Sequence, residues 1–234
     1  TGAVPDVAVA TSHGAHLRSR SQGRPRRNGF GGNRSSHPDP SMSDLDQDKR
    51  ELRRRLRAQR RTLDPAFRDR SSRTAAWYAL QALPWRDRWR VSLSWPLADE
   101  IDTLPLLHAL HWLGAEALLP RMQGRGRPLL FHRWSPDLEL VDGPFQVREP
   151  PPDLPPALPE IVLTPLLAFD ARGNRLGYGA GFYDMTFAAI EAAGIRALRV
   201  GFCFAQQEVA SVPADVTDVP LDLVITEQGA RDLR

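Results

Sequence analysis

Apolar residues return at two rhythms along this chain, and the changes from one rhythm to the other mark out its elements. Residues 1–41 carry neither rhythm. They are rich in Gly, Ser, Arg and Pro, and such a stretch cannot bury enough surface to offset the entropy of ordering. A disordered basic tail over 1–41 and a single α/β domain over 42–234 are therefore expected, with order beginning near Asp44. Over residues 48–61 a strongly basic helix sets Leu52 and Leu56 one turn apart, so that one side can pack while arginines cover the rest. Leu63-Asp64-Pro65 interrupts it. Asp64 suits an N-cap and Pro65 a first helical position. This predicts a second helix over 65–83 that buries Phe67, Ala75, Tyr78 and Ala79, with Pro84 marking its end.

Beyond Pro84, short apolar runs alternate with helical stretches. Residues 91–95 read as a strand, Asp102 or Thr103 as the cap of a helix to Leu113, Gly114 as its stop, and 116–119 as a second strand. A further strand is expected over 129–134. Six prolines between 148 and 159 make a linker or wrapped loop there, too short-flanked to divide domains. Residues 161–164, a glycine-spaced turn, a helix over 185–193 and a strand over 197–204 repeat the β-α-β logic, and 221–226 is a last strand. Such alternation predicts an α/β fold: a mostly parallel open sheet flanked by helices, a Rossmann-like three-layer sandwich with ligands at the carboxyl ends of the strands.

Composition changes this picture in a few places. The chain has 234 residues with 41% hydrophobic content, enough for a real core, and a formal charge of +3. The tail holds six of the 31 basic and two of the 28 acidic residues, leaving 25 against 26 in the domain. The basicity therefore belongs to the tail and to the stretch 49–90, where fourteen cations face four acids. The tail suits an organelle-targeting peptide or a leader ahead of an original start at Met42. The single Cys203 lies in an apolar run as a small core residue and fits a reducing compartment. No run reaches the length of a membrane span. A cytoplasmic monomer is expected, with an organelle as the alternative if the tail is a targeting peptide.

Candidate chemistry concentrates in residues 161–184, IVLTPLLAFDARGNRLGYGAGFYD. Glycines at every second position before a helix let backbone N–H groups curl toward an anion; the plain alternative is a flexible surface turn. Arg175 can fork onto phosphate oxygens, and Asp184 reads either as a Mg²⁺ ligand or as a helix N-cap. Asp218 is a candidate second carboxylate or a turn residue. A Walker loop, G-x-G-x-x-G before a helix, H-E-x-x-H, paired cysteines and G-x-S-x-G are all lacking. His108 and His111 lie one turn apart without a third ligand in view, and His132 sits on a strand, so zinc or nucleophilic chemistry is not indicated. Phosphoryl transfer, which needs cations and a metal more than covalent help, remains.

Residues 168–184, AFDARGNRLGYGAGFYD, closely resemble the signature of the 5-formyltetrahydrofolate cyclo-ligase family, also called 5,10-methenyltetrahydrofolate synthetase. The resemblance extends over nearly all of 47–227. It takes in Lys49-Arg50-Glu51-Leu52-Arg53, Asp99-Glu100-Ile101-Asp102-Thr103, Pro120-Arg121, Phe145 before Glu149-Pro150, Phe204 with Gln207, and Asp218. It implies that ATP phosphorylates the formyl oxygen of 5-formyltetrahydrofolate and that N10 then closes the ring. Cofactors would be ATP and Mg²⁺, with no specific nucleic-acid or membrane partner. By resemblance, Arg175 and Lys49 are the catalytic cations. Lys49, Arg53, Arg175, Leu176, Gly177, Tyr178, Gly179, Ala180, Gly181, Phe182 and Tyr183 would hold the nucleotide. Trp95, Glu100, Met122, Phe145 and Phe182 would line the folate site, and Asp184 and Asp218 would hold Mg²⁺.

Read from the residues alone, Lys49 and Arg53 also suit a solvated helix face, Glu100 a loop acid, and Trp95, Met122 and Phe145 core. Three positions depart from the family pattern: Ala180 in place of glycine or lysine, Phe182 in place of tyrosine, and Met185 where many members carry arginine. Ala180 is expected to restrict the turn if that position needs positive φ, and Phe182 lacks a hydroxyl that could touch the substrate. Two other functions compete with the cyclo-ligase: an enzyme of this type acting on another small substrate, and a non-enzymatic nucleic-acid binder using the basic tail and first helix.

Overall fold

The computed structural model describes residues 40–84 and 88–234, with side chains from residue 44 onward. The expectation of a disordered tail lies, but for its last two residues, outside the described residues. Helix α1, Pro40–Arg61, begins ahead of the expected onset near Asp44. Helix α2, Pro65–Ala82, starts as the sequence requires: the Asp64 side chain accepts from Phe67 N–H at 2.9 Å and Pro65 occupies the first turn. A cap of this kind contributes about 1 kcal/mol.

The remaining elements follow in order: β1 (Arg90–Ser92), α3 (Leu104–Trp112), β2 (Glu116–Arg121), β3 (Leu130–Arg133), β4 (Val141–Asp142), β5 (Arg148–Glu149), β6 (Ile161–Thr164), β7 (Ala168–Phe169), β8 (Arg175–Leu176), α4 (Phe182–Ala192), β9 (Leu198–Phe202), β10 (Leu223–Thr226) and β11 (Gly229–Asp232). Seven strands form one sheet in the order β11-β10-β9-β6-β1-β2-β3. The five inner strands run parallel, and each edge closes with an antiparallel strand, β3 on β2 and β11 on β10. Alternation along β6 explains the layering. Ile161 and Leu163 pack in the cluster covered by α2 and α3, through Ala75, Ala79, Leu106 and Leu110. Val162 points the other way, to Phe187 and Ile190 of α4. The mostly parallel three-layer sandwich expected from the sequence is thus the observed α/β architecture.

Two local expectations change, and a third is decided between its alternatives. The glycine turn does not leave β6 directly, because the β7–β8 hairpin intervenes and packs against Leu56 of α1 through Ala168 and Leu176. Its turn is tied by Asp170, which is fully buried and accepts from Arg172 N–H, Asn174 N–H, the Asn174 side-chain amide and Val212 N–H. Helix α4 starts at Phe182, three residues before the expected Met185. The proline-rich run is a wrapped loop: Ala157 N–H donates to Phe131 O at 2.8 Å, and Pro156 bridges His132 at the sheet edge.

Candidate active site

Among the parallel strands, chain order reverses in space between β1 and β6, and in open α/β sheets a crevice forms beyond the carboxyl ends at such a point. Here the crevice is lined by Arg60, Ser94, Glu100, Thr164, Pro165 and Gln207. Gln207 ties its floor, donating to Leu166 O at 2.7 Å and accepting from Phe204 N–H at 2.9 Å.

Helix α1 supplies one wall. Lys49, Arg53, Arg57 and Arg60 recur at spacings of four, four and three, which puts them on one helix face. That face runs along the glycine loop. Arg53 Nε donates to Gly177 O at 2.9 Å; Arg57 lies over the Tyr178 ring at 5.1 Å; Arg60 Nη1 donates to the Tyr178 hydroxyl at 2.8 Å. Lys49 Nζ sits between Asp215 Oδ2 at 2.9 Å and Asp218 Oδ2 at 2.6 Å. These two carboxylates hold its pKa above the ordinary lysine value against the cost of burial, and Asp215 is pushed well below the usual carboxylate range by Thr217 and then by Lys49. The solvated-face alternative for Lys49 and Arg53 therefore fails: Lys49 is buried and Arg53 half-buried.

Arg53 and Arg57 stand differently. Among the described residues, no carboxylate lies within ion-pair distance of either, and the buried Arg57 Nε has no hydrogen-bond partner. The Arg53 pKa is lowered, first by burial and then by Arg57 beside it. Asp46 and Asp218 offset this only in part and from beyond ion-pair distance, and two crowded cations without a direct carboxylate partner are what an anionic ligand relieves.

The glycine loop is shaped to admit one. Gly179 and Gly181 have φ of 99° and 67°. A Cβ on Gly179 would lie 3.3 Å from Arg53 Cζ, so the bare glycine leaves room for the guanidinium. Gly181 is the N-cap of α4 and contributes no side-chain capping bond, which leaves first-turn N–H groups for a ligand. Ala180 is not at positive φ, so the strain expected of this departure from the family pattern is absent.

Arg175 is buried at the far side of the loop. Its Nη2 donates to Asp184 Oδ1 at 2.7 Å, and its Nη1 donates to Val219 O. Asp184 Oδ1 also accepts from Val219 N–H at 3.0 Å. Asp184 lies in the first turn of α4 behind its Gly181 N-cap, so the N-cap alternative for Asp184 is overturned. Asp218 sits in the turn it was read as belonging to, accepting from Asp215 N–H at 2.8 Å. The 215–219 turn therefore joins Lys49, Asp218, Asp184 and Arg175 into one cluster.

Glu100, after β1, is buried rather than a solvated loop acid. Its Oε1 accepts from the Tyr178 hydroxyl and its Oε2 from Leu97 N–H at 2.9 Å. Burial and Glu100 together raise the Tyr178 pKa; burial does the same for Tyr183. The expected apolar walls divide. Met122, Phe182 and Tyr183 pack against the cluster that holds Phe187 and Ile190 on the α4 side, whereas Trp95 packs against the α2–α3 cluster. Phe145 is 71% exposed, which overturns its reading as core, and it takes φ of 59° in a short 3-10 turn. Leu176 faces the hairpin core.

Arg57, Arg60 and Asp215 belong to no motif in the sequence, and Asp99 stands there only as part of the acidic turn. The recurrence 49, 53, 57, 60 was the available signal. His108 and His111 face the Trp134 ring, and Cys203 is buried core, its thiol pKa raised by burial. No group of three or more His, Cys, Asp or Glu suited to a metal ion occurs among the described residues. No described helix is long and apolar enough to cross a membrane.

The pattern of the 5-formyltetrahydrofolate cyclo-ligase family matches residues 45–227, most of the chain. This chain belongs to that family. The cyclo-ligase of Escherichia coli K12 is 32% identical over 176 residues, covering 73% of this chain and 96% of the relative. That of Haemophilus influenzae is 30% identical over 180 residues, covering 75% and 95%. Among solved structures, the 5,10-methenyltetrahydrofolate synthetase of Aquifex aeolicus superposes with a TM-score of 0.66 at 31% identity, covering 80% of this chain and 93% of the other. The cyclo-ligases are ligases, and both the glycine loop and the α1 cations fall inside the matched span.

Proposed function

We propose that this cyclo-ligase converts 5-formyltetrahydrofolate to 5,10-methenyltetrahydrofolate with ATP and Mg²⁺. In the proposed reaction the formyl oxygen takes the γ-phosphoryl group and ADP leaves. N10 then bonds to the formyl carbon and loses its proton, and phosphate departs with the former formyl oxygen. The observation that carries the nucleotide part is the α1 cation row lying along the glycine loop, with Arg53 and Arg57 lacking carboxylate partners. Arg53, Arg57, the first-turn N–H groups of α4 and Arg175 would hold the phosphates, orienting the γ-phosphate toward the crevice.

The donor set also fits a hard cation beside phosphate. Asp184 and Asp218 would hold it, and both belong to the cluster of the 215–219 turn. Held there, Mg²⁺ would supply charge neutralisation to the reacting phosphates. Since Lys49 holds Asp218 in the free protein, nucleotide entry would hand Lys49 to a phosphate and release the carboxylate. Glu100, with both oxygens oriented, would accept donors from the folate ring, and Met122 and Phe182 would cover its apolar face.

The decisive experiment mixes the purified full chain with 5-formyltetrahydrofolate and Mg·ATP and follows methenyl absorbance. ATP-dependent product is expected; none from folded protein overturns the assignment.

A further inference from the structure

We infer that Arg60 is a positioning residue for this reaction: it aims the Tyr178 hydroxyl at Glu100 and so sets the glycine loop against the folate-side carboxylate. The inference rests on the proposed role of Glu100. Arg60 is 5% exposed, and its guanidinium is spent on groups from three loops. Nε and Nη2 both donate to Asp99 Oδ2, at 3.2 and 3.0 Å. Nη1 donates to the Tyr178 hydroxyl at 2.8 Å and to Leu166 O, past the end of β6, at 3.5 Å. Nη1 also lies 3.8 Å from Glu100 Oε1, and Cζ lies 5.7 Å from the Tyr178 ring centroid.

The chemistry of the groups gives this arrangement a direction. A guanidinium has donors only, so the Tyr178 hydroxyl must accept from Arg60. The hydroxyl has one proton, and that proton goes to Glu100 Oε1. Leu97 N–H holds the other oxygen. Arg60 therefore fixes both the rotor of Tyr178 and the presentation of Glu100, while the Asp99 contacts fix Arg60. The nucleotide side of the loop has a separate anchor, because Arg53 holds Gly177 O independently. A lysine in place of Arg60 keeps the charge and reaches one partner at a time, since it lacks the planar fork.

The test measures kcat and KM for 5-formyltetrahydrofolate and for ATP in the full chain and in Arg60→Lys, Arg60→Met, Tyr178→Phe and the Arg60→Met/Tyr178→Phe double variant, together with the melting temperature of each. The expected result is a rise of about tenfold in the folate KM for Arg60→Met, the loss of a charge-assisted hydrogen bond's worth of orientation. A smaller rise in the ATP KM, partial recovery in Arg60→Lys and a non-additive double variant are also expected. A merely structural Arg60 lowers the melting temperature and leaves the folate KM of the folded enzyme unchanged, which overturns the inference. Should Arg60→Met not fold, Arg60→Lys and Tyr178→Phe carry the same comparison, since neither removes the buried cation; an unchanged folate KM in both overturns it equally. A wild-type chain without turnover overturns the proposed function, and the positioning role with it. Turnover in the wild type with unaffected variants overturns the positioning role alone.

Discussion

Asp170 shows how much one buried carboxylate can organise. It is fully buried and receives four N–H bonds from the hairpin turn and from Val212. Burial alone would raise its pKa, but the bonds from Val212, Asn174 and Arg172 outweigh that and lower it below the ordinary 3.8. A depressed folded-state pKa stabilises the fold above the unfolded pKa and ceases to do so as pH falls through the folded one. Wild-type stability is therefore expected to fall below about pH 4, and Asp170→Ala to flatten that fall. At neutral pH the same variant strands several buried donors and should cost about 2–4 kcal/mol in urea unfolding. The sequence quoted Asp170 only as part of a family signature, since nothing local distinguishes a buried turn aspartate from a solvated one.

At the scale of elements, α1 and the glycine loop are best treated as one device. Leu52 and Leu56 seat the helix on the β7–β8 hairpin, and the adjoining cation face then lies along residues 177–179. The close approach of Arg53 to Gly179 makes that glycine the sensitive point. Gly179→Ala places a Cβ 3.3 Å from Arg53 Cζ in a backbone at φ of 99°. A fall in kcat/KM for ATP of about tenfold or more, with a melting temperature within a few degrees of wild type, is the expected outcome. Steady-state kinetics with varied ATP checks it; unchanged kinetics would show that the loop does not carry the nucleotide. Helix identity and the Asp64-Pro65 boundary were legible because capping and periodicity are local. The hairpin was not, because β7 and β8 have two residues each and leave no rhythm.

For the whole molecule, the described residues form one compact unit, and every residue assigned to the site falls within the family span 45–227. We propose that this unit is the catalytic domain. A chain beginning at Pro38 is expected to retain kcat and KM within about twofold of the full chain; a larger loss, measured by the methenyl assay, would assign residues 1–37 a part in turnover. The nucleic-acid alternative loses part of its support at this scale. Lys49, Arg53, Arg57 and Arg60 face the glycine loop and the 215–219 turn rather than solvent, so half of the helix's cations are turned inward, while Arg50, Arg54, Arg55 and Arg61 stay exposed.

The sequence by itself determined the layered α/β class, the buried strand Ile161–Thr164, the start of α2 and the glycine loop as the candidate centre of the chemistry. These depend on periodicity, caps and glycine spacing, which act over a few residues. Tertiary structure decided which groups meet. Lys49 and Asp218 are 169 positions apart and bond at 2.6 Å; Glu100 and Tyr178 are 78 apart, and the Tyr178 hydroxyl donates to Glu100 Oε1. It also turned the edge strands antiparallel and left Phe145 exposed. Apolar rhythm reports that a face is buried, and a cation's spacing reports which face it shares. Neither reports the partner, because that depends on loops closed across the sheet.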